Sequence, residues 1–442
     1  LSDQISTTLL QILLNSLDEN MIDVFDDNPK ENISNSIITT LTQFARFEDN
    51  QEAISKTILL FFTQQSQINQ WNTKYASIYS LFVIVFIERN ESITSFFMQL
   101  LPKLFEIISN EPSESIQCIS ILLIGQIVIH HFKTVLDQHA METIVPLTVQ
   151  LIQSQNTHIS LAALLIVQNI TAIIPQRLSN PQQFLNFFYR NICPVLLTCY
   201  DRPDVFTEGY LDRVWETFRG LVFNGPSYMN ENFELIVMPL VELTKKLDLA
   251  LTNQFPDENS AITMIGALTL AFQPIFLRFP PLDESINDQP IGQLILHLIE
   301  VFLKLVSSPN EIAALNAIST LVFCRIGSLV FNSIEAIIQV LRQCYTTSQS
   351  PEVLQFAATI LGDIILKYPS KIEPDVAMLL FQTSVRYFKE SYLVSYQIRV
   401  FQLIGDLLSI IPDPECVLAD EILQGLKTVQ SLVIPKVELE TK

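Results

Sequence analysis

The chain has 442 residues, of which 49% are apolar, and its 46 Asp and Glu residues against 26 Lys and Arg residues give a formal net charge of −20. This apolar content excludes a disordered chain, because disordered chains carry too few apolar residues to bury a core. The acidic balance argues against direct nucleic-acid binding, because neutralising phosphates requires clustered Lys and Arg. Basic partners are the natural complement of such a chain.

Six cysteines are scattered along the sequence without a CxxC pair: Cys118, Cys193, Cys199, Cys324, Cys344 and Cys416. Because CxxC spacing is the usual sign of zinc or dithiol chemistry, we expect buried thiols in a reducing compartment instead. The first residues, Leu1-Ser2-Asp3, include no initiating Met, no basic segment and no cleavage site. We therefore expect no secretory signal, and we expect the sequence to be part of a longer chain.

The longest apolar segments are poor candidates for membrane spans. Ile116 to Phe132 is interrupted by three polar residues, and Leu161 to Ile174 is shorter and contains two. A span requires about 20 consecutive apolar residues. A helix that is apolar nearly all round also occurs in the middle of a large core. We predict core helices and no membrane insertion.

A recurrent outline marks the first helix of a repeated helix pair. Its prolines, Pro102, Pro146, Pro194 and Pro239, are spaced by 44, 48 and 45 residues. A period of about 40 to 47 residues is typical of helical-pair repeats, and the chain length then allows roughly ten stacked pairs. Proline inside a helix removes a hydrogen bond and bends it, so a recurrent bend would help the first helices to wrap a curved stack.

The periodicity within these repeats is helical. Five apolar residues follow the i, i+3, i+4, i+7 rule of an amphipathic helix: Phe97, Leu100, Leu101, Leu104 and Ile108. Ser350 before Pro351 predicts a helix cap with proline in the first turn. Asp201 to Tyr210 and Pro280 to Pro290 are predicted loops between repeats. No strand pattern of comparable length occurs, so we predict an all-α fold.

The second helices repeat as well. Leu361-Gly362-Asp363 and Ile404-Gly405-Asp406 are 43 residues apart, and Ile124-Gly125-Gln126 and Val167-Gln168-Asn169 occupy equivalent places, again 43 apart. Because one helix pair cannot bury its own apolar face, neighbouring pairs must stack and share a core. We predict a right-handed α-α superhelix, continuous over residues 1–442, with first helices on the convex surface and the more apolar second helices inside.

These helix pairs resemble HEAT repeats, and their order resembles the central and C-terminal repeats of the importin-β (karyopherin-β) family. Leu17 to Pro29 looks like the acidic loop of that family, an Asp-rich run that begins Asp-Glu-Asn and ends Asn-Pro. Ile68 to Trp71 resembles the Trp-bearing helix start that follows it. Asn316 to Val322, Leu361 to Asp363 and Ile404 to Asp406 resemble later repeats in the right order. The likeness covers most of the chain.

The resemblance implies a nuclear import receptor, not an enzyme, that is found in the cytoplasm, in the nucleus and at the nuclear pore. In that family, the concave surface binds a basic segment, either of an importin-α-type adaptor or of a basic cargo. Phe-Gly repeats of nucleoporins dock between the outer helices, and GTP-bound Ran displaces the cargo. The resemblance places the main Ran site in N-terminal repeats that this sequence lacks. It implies no cofactor.

The densest acidic cluster is the predicted acidic loop at residues 17–29. Its carboxylates are Asp18, Glu19, Asp23, Asp26 and Asp27. A charge run is most often a solvated loop between helices. The resemblance favours a loop that binds a basic partner and contacts Ran.

The two tryptophans, Trp71 and Trp215, are further candidates for contacts on the concave surface. Packing is the default role for a buried indole. Trp71 lies in the segment that resembles the family, and Trp215 opens a predicted second helix with Asp212 and Glu216 at neighbouring positions. We take these four residues as candidate concave-surface contacts.

Two alternative functions stay open. The first is another HEAT scaffold, such as a phosphatase regulatory subunit or a coat adaptor, which would lack salt-dependent binding of a basic importin-β-binding peptide. The second is an unrecognised hydrolase. The sequence has no GxSxG, P-loop or GxGxxG motif, no Cys and His arrangement for a nucleophile, and no His pair at i, i+4 for zinc. We therefore predict no catalytic, metal-binding or cofactor-binding residues.

Overall fold

The computed structural model describes most of the chain, in two compact units, Leu1–Ser227 and Tyr228–Lys442. The described residues are 2–17, 33–66, 68, 70–87, 91–130, 143–177, 182–207, 209–226, 234–252, 255–279, 289–324, 327–390, 394–410 and 427. Every regular element in these ranges is a helix, so the all-α prediction is confirmed there. The predicted continuity of one array through residues 1–442 stays a prediction.

The first unit contains five helix pairs within its described ranges. The first helices of these pairs are α1 (Ser2–Ser16), α3 (Glu48–Gln65), α5 (Glu91–Asn110), α7 (Val145–Ile152) and α9 (Gln182–Thr198). The second helices are α2 (Ile33–Ala45), α4 (Trp71–Ile87), α6 (Glu114–His130), α8 (Thr157–Arg177) and α10 (Tyr210–Phe223). Each second helix packs on its own first helix and on the second helix of the next pair. Neighbouring pairs therefore share one core.

The second unit contains four pairs in the part of the chain described. Its first helices are α11 (Glu234–Thr252), α13 (Pro290–Leu305), α15 (Gly327–Thr347) and α17 (Pro374–Glu390). Its second helices are α12 (Glu258–Leu277), α14 (Glu311–Phe323), α16 (Pro351–Lys367) and α18 (Val394–Ile410). Second helices again contact second helices, and each first helix contacts the first helix of the next pair. The described pairs number nine in all, close to the roughly ten that the period predicts.

The four prolines that set the repeat period all lie in first helices. Pro102 is inside α5, Pro194 is inside α9, Pro239 is inside α11, and Pro146 is in the first turn of α7. An interior proline removes a backbone hydrogen bond, whereas a proline in the first turn removes none that the helix uses. The predicted interior position therefore holds for three of these helices, and Pro146 differs because the described helix starts at Val145.

The predicted apolar stripe is the buried side of α5. Its residues Phe97, Leu100, Leu101, Leu104 and Ile108 are all buried. Second helices are covered on more sides, and 10 of the 17 residues of α6 are buried. This difference arises because a second helix packs against its own first helix and against second helices of the neighbouring pairs. Burial of this apolar surface is the main source of stability in such an array.

Helix starts follow the capping chemistry that the sequence indicates. Ser350 Oγ accepts a hydrogen bond from the backbone N of Val353 at 3.4 Å, with Pro351 in the first turn of α16. The predicted cap is therefore confirmed. Asp257 caps α12 in the same way, since its Oδ1 accepts from the backbone N of Ser260 at 2.8 Å.

A polar cluster ties two consecutive pairs of the first unit together. Arg202, in the predicted loop before α10, donates to the carbonyl oxygen of Ile152 at 3.3 Å. Arg202 Nη2 also pairs with Asp204 Oδ2 at 2.7 Å, and the hydroxyl of Thr157 donates to the same carboxylate. The hydrogen bond from Arg202, with that from Thr157, lowers the pKa of Asp204 to about 2. The loop therefore fixes the position of one pair against the next.

One described helix, α12, is long and apolar enough to cross a membrane by length and composition. Half of its most apolar window, 50%, is buried inside the structure. A core helix passes the same test because neighbouring helices cover its sides, and α12 packs against α11 and α14. This single helix is weak support for a span, and the absence of membrane insertion stays a prediction.

Candidate protein-binding surfaces

The predicted acidic loop lies outside the described residues. Description ends at Leu17, after α1, and resumes at Ile33, where α2 begins. The candidate residues Asp18, Glu19, Asp23, Asp26 and Asp27 therefore have no described geometry. Their binding role stays a prediction, and the chain order alone places them between the two helices of the first pair.

Trp71 is the first residue of α4, as the sequence predicts, and it bridges two pairs. Its indole Nε1 donates to the hydroxyl of Ser113 at 2.8 Å, and its ring stacks on Tyr75 with centroids 5.4 Å apart. Lys74 Nζ, one turn later, pairs with Glu111 Oε2 at 2.9 Å. Trp71 is half-buried, so part of its ring is accessible to a partner while its polar atom is already satisfied.

Trp71 begins a row of aromatic rings along α4, which the sequence analysis did not identify. The row continues through Tyr75, Tyr79, Phe82 and Phe86, and neighbouring centroids are 5.4 to 6.4 Å apart. Tyr75 and Phe82 are buried, whereas Phe86 is 43% exposed. Burial raises the pKa of Tyr79 to about 12, so this phenol stays neutral. The i, i+4 and i, i+3 spacing of these residues was the available signal.

The second candidate tryptophan, Trp215, lies in α10 with its predicted neighbours on the same face. Asp212 and Glu216 are exposed, and Trp215 is half-buried. The guanidinium of Arg219 lies over the Trp215 ring at 5.5 Å and over the Phe223 ring at 5.6 Å. The indole Nε1 of Trp215 is buried without a hydrogen-bond partner among the described residues. This face therefore combines aromatic, cationic and acidic groups.

The charge of Glu216 is partly offset by a neighbour. Arg213 Nη1 lies 3.3 Å from Glu216 Oε2 and 3.3 Å from the side-chain oxygen of Gln168 on α8. Such an exposed ion pair contributes little to stability and leaves a weaker local field. Asp212 is therefore the more available carboxylate of the two for a basic partner.

The repeated Gly-Asp motif places two carboxylates on neighbouring second helices of the second unit. A Cβ atom on Gly362 would lie 3.1 Å from Asp406 Oδ2, so α18 approaches α16 closely there. Burial raises the pKa of Asp363, against the opposing effect of Lys367 and Arg399. Burial and the nearby charge of Asp363 raise the pKa of Asp406. A cation brought to this place would relieve both effects.

The first helices of the second unit border an apolar groove of about 690 Å³ between α11 and α13. Six apolar residues line it: Val237, Met238, Val241, Pro290, Ile291 and Leu294. Glu234 and Gln289 complete the lining. Met238 is 39% exposed, so the groove is open to solvent. Its size and lining suit an apolar or aromatic side chain.

The groove was not predicted, although one wall of it lies in a recognised motif. Val237 to Val241 is one of the four proline-bearing outlines, and it correctly predicts a first helix. The opposite wall begins at Pro290, which the sequence analysis placed at the end of a loop. Recognising the groove required the packing of α13 on α11, and sequence periodicity does not give the contact between two particular helices.

Catalytic and metal-binding constellations were sought in the same ranges. Within the described ranges, no group of three or more His, Cys, Asp and Glu side chains could hold a metal ion. The described cysteines are free, and burial raises the pKa of Cys118 and Cys193 to about 12. A thiol with so high a pKa is a poor nucleophile at neutral pH. Cys416 lies outside the described residues.

Comparison with known proteins gave structural matches alone. No protein-family model matches the sequence, and no curated protein matches it significantly. A crystal structure of importin beta aligns with 93% of this chain and 48% of its own, at 18% identity and a TM-score of 0.70. A Kap95:Nup1 complex aligns with 96% of this chain and 54% of that chain, at 16% identity and a TM-score of 0.67.

A third match is Kap95p, whose binding induces the switch loops of RanGDP to adopt the GTP-bound conformation. It aligns with 98% of this chain and 54% of that chain, at 18% identity and a TM-score of 0.55. The chain thus spans about half the length of the structures it matches. Similarity at this level of identity shows the fold. The chain has the HEAT-repeat fold of importin-β, and the resemblance in the sequence is confirmed to that extent.

Proposed function

We propose that this chain is part of a nuclear transport receptor that acts as a binding scaffold and not as an enzyme. The observation that carries the proposal is the alignment of nearly the whole chain with importin-β structures. We propose that it binds an importin-α-type adaptor or a basic cargo along its second helices. Phe-Gly segments of nucleoporins would dock between first helices, and the protein would move between cytoplasm and nucleus.

Charge supports a basic partner. The chain carries a net charge of −20, and the acidic loop at residues 17–29 is its densest cluster of carboxylates. Asp212 is exposed beside Trp215, and Asp363 and Asp406 lie on neighbouring second helices. A basic helix along such a surface gains charge-assisted contacts, each worth about 1 kcal/mol or less at exposed positions. Many such contacts must act together, so we expect binding to weaken steeply with salt.

The groove between α11 and α13 supports docking of nucleoporins. Its apolar lining on two consecutive first helices can take one phenylalanine ring, and burying such a side chain is worth about 1.5 to 3 kcal/mol. One site of this strength binds weakly, so useful docking requires several Phe-Gly segments that bind in parallel. The match to Kap95 in complex with Nup1 supports this class of partner.

Ran is proposed as a further partner. The match to Kap95p, which acts on RanGDP, supports it. The family resemblance places the main Ran surface in N-terminal repeats that this sequence lacks. We therefore expect the chain alone to bind GTP-loaded Ran more weakly than it binds a basic peptide.

A pull-down with a basic import peptide, Phe-Gly repeats and GTP-loaded Ran tests the proposal. The double substitution Asp26→Lys with Asp27→Lys is expected to weaken the basic peptide and to leave the Phe-Gly repeats unchanged. The matched control is Glu373→Lys with Asp375→Lys, which reverses the same charge at exposed positions beside and within the start of α17. Equal loss of peptide binding in both variants would mean that the acidic loop has no specific role.

A further inference from the structure

The polar residues of the α11–α13 groove lie together at one end of it. Glu234 is the first residue of α11, and Gln289 directly precedes α13. The remaining lining positions fall within the first two turns of each helix. The amino-terminal ends of both helices therefore border the same end of the groove, and the apolar walls extend away from that end.

Glu234 is the single charged residue among those that line the groove. It is exposed, and no ion pair joins it to another described residue. The lysines of α11, Lys245 and Lys246, follow it by at least 11 residues, which is about 16 Å along a helix. Lys245 is moreover paired with Glu242 at 3.5 Å. The mouth of the groove thus carries a local negative charge that the chain itself does not compensate.

We propose that this groove is selective for an apolar or aromatic side chain that has a Lys or Arg close to it in sequence, and that Glu234 determines this selectivity. The inference rests on the proposed docking function and adds the chemical class of the segment that is bound. The apolar side chain lies between Met238 and Leu294, and the cation pairs with Glu234 at the mouth.

The distances along helix and peptide agree with this arrangement. Met238 follows Glu234 by four residues, which is about 6 Å of helix rise. An extended peptide advances about 3.3 Å per residue, so a cation one to three residues from the buried side chain reaches the carboxylate. The side chain of Gln289 does not cap α13, so its amide is available to the main chain of the bound segment.

The same carboxylate disfavours the wrong partners. An acidic residue next to the buried side chain would be brought against Glu234, and like charges placed together oppose binding. A neutral segment would gain the apolar contact alone. The groove therefore ranks basic, neutral and acidic neighbours in that order, whereas a purely apolar groove would not distinguish them.

The test compares two peptides of equal length around one Phe-Gly core, with Lys or with Gln at the flanking positions. Affinities for the full chain are measured by fluorescence anisotropy. The wild type is expected to prefer the Lys peptide by about two- to fivefold more than Glu234→Gln does, which is the range for an exposed ion pair. Glu234→Asp retains part of this preference. Glu242→Gln on the same helix controls for the loss of one charge and is expected to keep the wild-type preference.

A substitution inside the groove separates this inference from the docking function. Met238→Glu should abolish binding of both peptides, whereas Leu249→Glu, at an exposed position on α11 outside the lining, should not. If both peptides bind in the groove but Glu234→Gln and Glu242→Gln behave alike, the selectivity is overturned and the docking function stands. If neither peptide binds to the wild type, or Met238→Glu has no effect, both are overturned.

Discussion

The hydroxyl oxygens of Ser160 and Tyr210 lie 2.9 Å apart in the buried space between α8 and α10. Ser160 donates its single hydroxyl proton to the carbonyl oxygen of Ile152 at 2.8 Å, so Tyr210 must be the donor to Ser160. Burial raises the pKa of Tyr210 well above its ordinary value, so the phenol keeps this proton. One hydrogen bond thus joins the second helices of two consecutive pairs.

Tyr210→Phe should lower the free energy of unfolding by about 0.5 to 1.5 kcal/mol. Phenylalanine fills the same space, and Ser160 keeps its bond to Ile152, so no buried donor is left unsatisfied. Urea unfolding followed by tryptophan fluorescence reports on the first unit, which contains both tryptophans. A loss above about 3 kcal/mol would indicate disturbed packing in place of one lost hydrogen bond.

Two glycines in second helices predict opposite effects of the same substitution. A Cβ on Gly266 would lie 2.9 Å from Oδ1 of the buried Asn310, whereas a Cβ on Gly405 would meet nothing within 4 Å. We expect Gly266→Ala to destabilise the second unit by about 1 to 3 kcal/mol. Gly405→Ala should stabilise it by about 0.5 to 1 kcal/mol, because alanine reduces the freedom of the unfolded chain.

Chemical denaturation followed by circular dichroism compares these two variants directly. Equal effects of Gly266→Ala and Gly405→Ala would contradict the packing of α12 and α18 described above. A stabilising Gly266→Ala would mean that Asn310 moves aside at no cost.

Much of the fold follows from the sequence because a repeat makes each local pattern recur. The prolines at a spacing of 44 to 48 residues fall in first helices, and Ser350 caps α16 as predicted. Leu361-Gly362-Asp363 and Ile404-Gly405-Asp406 occupy corresponding positions in α16 and α18. Each of these features depends on residues close in sequence, within one helix or at its end, so local chemistry is sufficient to identify them.

The candidate surfaces depend on contacts between helices, and these were predicted less well. Trp71 and Trp215 were identified as candidates because they are rare, but the bond of Trp71 to Ser113 joins residues 42 apart. The groove pairs Met238 with Ile291 across two helices and an intervening pair member, α12. Residue periodicity gives the face of each helix but not the neighbour that covers it, so such sites need the packed structure.

Acid should weaken the first unit through Asp204. Its pKa is lowered to about 2, so its ion pair contributes stability that is present above the ordinary value of 3.8 and is lost as the pH falls from there towards 2. Asp204→Asn should therefore lower the free energy of unfolding by a constant amount above about pH 5 and by less below about pH 4. Urea titrations at several pH values measure this difference. A difference that does not change with pH would exclude the charge of Asp204 as its source.

Asp406 should show the opposite dependence. Burial and the charge of Asp363 raise its pKa, so the folded state binds a proton more tightly than the unfolded chain does. Its ionised form therefore opposes folding at neutral pH, and this effect fades as the pH falls through the raised pKa. Asp406→Asn should raise the free energy of unfolding near neutral pH and have little effect in acid. Destabilisation near neutral pH would mean that the carboxylate is held by a cation.

The central claim is that the chain is a pore-docking scaffold, and its most direct test is rim binding in permeabilised cells. Fluorescent full chain is added, and the intensity at the nuclear envelope is compared for wild type, Met238→Glu and the matched Leu249→Glu. We predict rim staining for the wild type and Leu249→Glu, and strongly reduced staining for Met238→Glu. Absence of staining for the wild type, or equal staining for both variants, would contradict the claim.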